Sequence, residues 1–67
     1  MDRSEATQTL LNAVLQNQSA LAAALKDIAA WAAASGADHV ADEVREHLEV
    51  LEYNQNRMGV CIAALMR

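Results

Sequence analysis

Apolar residues recur along this chain in alternating steps of three and four. One series runs Leu11, Val14, Gln18, Leu21, Leu25, Ile28 and Ala32, and a second runs Ala41, Val44, Leu48, Leu51, Gln55, Met58, Ile62 and Leu65. That spacing is the a and d seam of helices packed as a left-handed antiparallel pair. Between the two series stands Gly36, placed where a helix ends by turning its backbone left-handed. Asp38 is positioned to cap the helix that follows, with Asp42 and Glu43 favourably placed in its first turn. At the start of the chain Asp2 and Glu5 have the spacing of a capping box, with Ser4 as a competing cap. The pattern predicts an all-α hairpin in one domain over residues 1–67: helix from about 3 to 35, turn over 36–38, helix from about 39 to 66. At 1.5 Å per residue each helix is roughly 40–50 Å long. So short a turn forces them antiparallel.

Folding the chain between Gly36 and Ala37 brings residue i opposite residue 73 − i. Leu25 then faces Leu48, Leu11 faces Ile62, and the polar interruption of one seam, Gln18, faces that of the other, Gln55. A polar layer in an apolar seam lowers stability but selects register or oligomeric state. The alternative is that both glutamines extend their amides outward from a wide seam.

A hairpin alone hides one face of each helix, and this chain has more apolar surface than that. The second helix carries another stripe roughly opposite its seam: Val50, Tyr53, Arg57, Val60, Cys61 and Ala64. The first widens its stripe with Leu10, Leu15, Ala22, Ala24, Ala29 and Trp31, and Gly59 is expected to mark a tight helix crossing. The simplest solution is a homodimer, two hairpins forming a four-helix bundle around a two-fold axis; the next is a hairpin completed by a helix of another protein. Trp31, Val50, Tyr53, Arg57, Val60 and Ala64 are the candidate dimer or partner interface, with the two aromatics as anchors.

Composition narrows the function. The 54% hydrophobic fraction is raised by fifteen alanines, the best helix formers, and there is no proline. A chain of 67 residues with a single cysteine, Cys61, has no internal disulfide to support a small core. The lone cysteine, and the lack of a basic and apolar leader in Met1-Asp2-Arg3-Ser4-Glu5, lead us to expect a cytoplasmic protein. The longest uninterrupted apolar run, Ile28 to Ala34, is far short of the roughly 20 residues of a membrane span. Net charge is −4, with Asp38, Asp42, Glu43, Glu46, Glu49 and Glu52 crowded into one stretch relieved by Arg45. That surface repels phosphate backbones and disfavours nucleic acid.

Chemistry is sparse. His39, Glu43 and His47 stand four residues apart, so three potential metal ligands share one helical face. Three side chains without a fourth ligand or an outer set of partners make only a candidate, and a polar helix edge is the simpler reading; no metal is expected. Cys61 has no adjacent base to lower its pKa, and the carboxylates have no cleft to perturb theirs. No phosphate-binding loop, catalytic triad or cofactor motif is present, so the chain is expected to be no enzyme and to need no cofactor.

What remains is a small adaptor, inhibitor or anti-activator that binds another protein through helical surfaces. In size, near-central turn and hairpin form the chain also resembles the plasmid copy-number RNA-binding hairpins typified by Rop. The resemblance is one of architecture and implies a dimeric RNA-binding hairpin as an alternative function. That family reads RNA with a basic, polar face and a central aromatic on its first helix. Here the first helix has Arg3 and Lys26 as its bases and no phenylalanine, so no binding residue carries over. A structural oligomerisation element or metal-binding bundle is the third reading.

Overall fold

Two long helices form the protein in a computed structural model that describes residues 1–66; Arg67, the last residue of the predicted domain, lies outside the described residues. Helix α1 runs Arg3–Ala34 and α2 runs Asp38–Leu65, within one residue of the predicted ends. The alanine-rich, proline-free sequence offers nothing to interrupt either. Asp2 caps α1 by accepting a 2.8 Å hydrogen bond at its Oδ1 from the Glu5 amide, which is one half of the expected capping box.

The turn has the expected three residues but lies one position earlier, at 35–37. The Gly36 amide donates to the Ala33 carbonyl (3.1 Å) and the Ala37 amide to the Ala32 carbonyl (2.8 Å), with Gly36 at φ +82°. These paired bonds are a Schellman ending, which satisfies the carbonyls left open at a helix C-terminus. Ala37 is also the N-cap of α2, and its backbone carbonyl accepts from Ala41. Asp38 is therefore not the cap. With one residue closing the first helix and opening the second, Asp38 falls inside the first turn of α2, where its charge still favours the helix dipole.

The helices lie side by side in a slab 50 × 20 × 11 Å. The buried core consists of Ala22, Ala29 and Ala32 from α1 and Ala41, Leu48 and Ile62 from α2. On α2 these three belong to the predicted seam, whose last member, Leu65, is instead 72% exposed. On α1 it differs: Leu21 and Ile28, expected inside, are 50% and 47% exposed, and Ala22 and Ala29 take their places. Both choices keep the three-four alternation through Gln18, Leu25 and Ala32. The short turn brings the backbones close, and alanine admits that approach where leucine and isoleucine do not. Gly59 is half-buried, but an added Cβ would meet nothing within 4 Å, so it marks no tight crossing within the hairpin.

The register follows the prediction to within one residue. Ala32 and Ala41, which sum to 73, are the two least exposed residues, at 0% and 1%. Gln18 and Gln55 are both half-buried at the interface, but Gln55 Nε2 donates to Ser19 Oγ (2.7 Å), the neighbour of Gln18. At the level of the two glutamines the polar contact between the helices is glutamine to serine rather than glutamine to glutamine.

Candidate functional site

A two-helix slab has two broad faces and two outer edges, and side-chain identity divides them sharply. On one broad face Lys26 Nζ meets Glu52 Oε2 at 3.5 Å beside the Gln55–Ser19 hydrogen bond. Both charged groups are about half exposed, so the pair adds little stability, on the order of 0–1 kcal/mol. Its value is geometric. It fixes which sides of α1 and α2 lie together.

The opposite broad face follows from that. Both helices are right-handed and run in opposite directions, so stripes displaced from the seam in the same rotational sense lie on the same side of the hairpin. Lys26 and Glu52 are displaced one way. Displaced the other way, by about 90° at 3.6 residues per turn, α1 carries Leu10, Val14, Asn17, Leu21, Ala24, Ile28 and Trp31. The corresponding stripe of α2 is Val40, Val44, His47, Leu51, Asn54, Met58, Cys61 and Leu65. Leu10, Leu21, Ile28, Trp31, Val40 and Leu65 are among the large exposed apolar side chains of the hairpin. Shallow depressions open beside Asn17, with Ala20 and Leu21, and beside Asn54, with Arg57, Met58 and Cys61.

The stripe of α2 singled out from the sequence forms its outer ridge. Val50, Tyr53 and Val60 are exposed, as are Arg57, Cys61 and Ala64. Arg57 lies over the Tyr53 ring with its guanidinium carbon 5.4 Å from the centroid, a cation–π contact. Tyr53, Asn56, Arg57, Val60 and Cys61 line a shallow depression on this ridge. Trp31 is 69% exposed and Tyr53 64%. The two sit on different helices and different faces.

The histidine constellation is not assembled. His39 Nε2 and Glu43 Oε1 are 2.9 Å apart on the surface of α2, an ion pair when the histidine is protonated. His47 does not join them: among the described residues no three histidine, cysteine or acidic side chains are grouped to hold a metal. Three of the bases are held by neighbours. Lys26 is engaged with Glu52, Arg45 with Asp42 at 3.5 Å, and Arg57 with Tyr53. Among the described residues no helix is long and apolar enough to cross a membrane.

The uncharged broad face escaped the sequence reading because the α1 seam was drawn through Leu21 and Ile28, which hid them. Its signal was present. Leu10, Val14, Asn17, Leu21, Ala24, Ile28 and Trp31 keep the same three-four alternation beside the first series. Two superimposed seams on one helix are the mark of a helix with two neighbours.

The accessible surface is larger than that of a compact chain. It totals 5066 Å², whereas a compact monomer of this mass exposes about 4,100 Å². No family model, no curated protein and no solved structure matches the chain.

Proposed function

We propose that this chain is a small non-catalytic protein-interaction module, acting in the cytoplasm as an adaptor, inhibitor or anti-activator, and built as a homodimeric four-helix bundle. The observation that carries the reading is the exposure of large apolar side chains on both the broad face and the α2 ridge, around a core of three alanines, one more alanine, a leucine and an isoleucine. Contiguous apolar surface of this extent on a soluble chain marks an interaction site. The sparse bases, three of them engaged, and the lack of grouped metal ligands among the described residues support protein rather than nucleic acid or metal as the target.

Two apolar surfaces suit two contacts. The ridge of Val50, Tyr53, Arg57, Val60 and Ala64 has the make-up of a hot spot for a different protein, an aromatic and an arginine ringed by aliphatics. Affinity capture with the wild-type chain, followed by titration of the captured protein, tests this. Tyr53→Ala is expected to weaken that complex by at least about 30-fold, as truncation of an anchor does. Capture of nothing but the chain itself, or retention of RNA at moderate ionic strength that falls with added salt, would contradict the reading.

A further inference from the structure

We infer that the uncharged broad face is the docking surface for a second copy of this chain, with Asn17 and Asn54 as a polar layer at its middle. The inference deepens the homodimeric part of the proposed function and rests on it. It assigns the contact to the broad face, which borders the α2 ridge along Arg57 and Cys61.

Charge is the first argument. From Ala6 to Ala34 the charged residues are Lys26 and Asp27, and neither belongs to the stripe of Leu10, Val14, Asn17, Leu21, Ala24, Ile28 and Trp31. Each chain carries a net charge of −4, with its acids concentrated on α2. Two copies that meet through the charge-free stripe of α1 keep those acids apart.

Area is the second. Two separate hairpins each expose 5066 Å². A compact particle of twice the mass exposes about 6,800 Å² in all, so a compact pair buries roughly 3,300 Å². That lies within the range of about 2,000–5,000 Å² typical of obligate homodimers. The broad face runs the full length of the slab, whose long dimension is 50 Å, and a second copy matches that length by construction.

The asparagines supply the third. Asn17, exposed, and Asn54, half-buried, are the amides in the two stripes, and both lie close to the centre of their helices. A two-fold axis through their layer sets each asparagine against asparagine and places Leu21 near the partner's Val14. The two asparagine amides on the face then have amide counterparts, and Leu21 and Val14 beside them have apolar ones. A foreign partner would need its own polar pair at the same level; a second copy carries it already.

The test is solution mass by light scattering on the full chain and its variants, with helicity followed by circular dichroism. The wild type is expected at twice its 7.2 kDa chain mass. Leu21→Glu and Ile28→Glu, which would bury an unpaired charge, are expected to weaken self-association by at least about 100-fold. Val50→Glu and Val60→Glu on the ridge leave the dimer intact. If the face variants lose helicity, cross-linking in a Cys61→Ser background decides. Asn17→Cys is expected to form a disulfide-linked dimer with oxidised glutathione, and Tyr53→Cys is not. A dimer broken by the ridge variants but not the face variants, cross-linking through Tyr53→Cys alone, or a wild type monomeric at all concentrations would each overturn the inference. A monomer that still captures a protein through Tyr53 would leave the interaction reading standing and remove this one. A dimer that captures nothing would do the reverse.

Discussion

Gly36 and Gly59 show how differently one residue type acts at two positions of this chain. Gly36 adopts φ +82° and its two flanking amide hydrogen bonds close α1; the space around it is open, so the demand is conformational. Gly36→Ala is expected to cost about 1–2 kcal/mol, the penalty of a side chain in left-handed backbone. Gly59 lies mid-helix in ordinary geometry with room for a methyl group. Gly59→Ala should therefore stabilise by about 0.5–1 kcal/mol. Melting temperatures read both effects, a change of about 1 kcal/mol moving a domain of this size by about 4–8 °C. Equal and opposite shifts in the other order would refute this account of the turn. Gly36 was legible from sequence because glycine after an alanine run has one common role. The capping role of Asp38 was misread because sequence does not show that one residue, Ala37, ends the first helix and begins the second.

At the scale of the element, α1 is the helix whose inward face sequence alone left ambiguous. Gln18, Leu25 and Ala32 belong to two interleaved series, one completed by Leu21 and Ile28, the other by Ala22 and Ala29. Hydrophobicity favours the first; helix spacing selects the second, and spacing is set by a turn whose geometry is not visible in a pattern of apolar positions. On α2 the ambiguity is absent, because Leu48 and Ile62 have no rival beside them that keeps the alternation toward α1. The alanine contact should be intolerant of bulk. Ala32→Leu inserts three carbons where the side chain is fully buried, and is expected to destabilise by about 1–3 kcal/mol through overpacking. A denaturation midpoint equal to wild type would show that the helices are not held at alanine spacing. The hairpin itself, its register and its ends were legible because capping, turn and periodicity all point the same way.

The whole molecule is a slab whose buried core is confined to one line of side chains. Ala22, Ala29, Ala32 and Ala41 contribute little apolar area, and Leu48 and Ile62 are its large members. At about 25 cal/mol per Å² such a core offsets little of the entropy of ordering two long helices. On the proposed reading, stability comes from covering the faces that the hairpin leaves open, and the exposed side chains on those faces are the ones that bind. Function was less legible than fold for the same reason: an exposed apolar surface is open to contact, whereas the identity of a foreign partner resides in the partner.

Thermal unfolding followed by helical circular dichroism over a 100-fold range of protein concentration, an interval of about 2.7 kcal/mol in mass action, tests that dependence on association most directly. The midpoint is expected to climb steadily with concentration, since binding of a second copy stabilises only the folded chain. A cooperative transition with the same midpoint at every concentration would mean that the hairpin is stable alone, and would contradict the account.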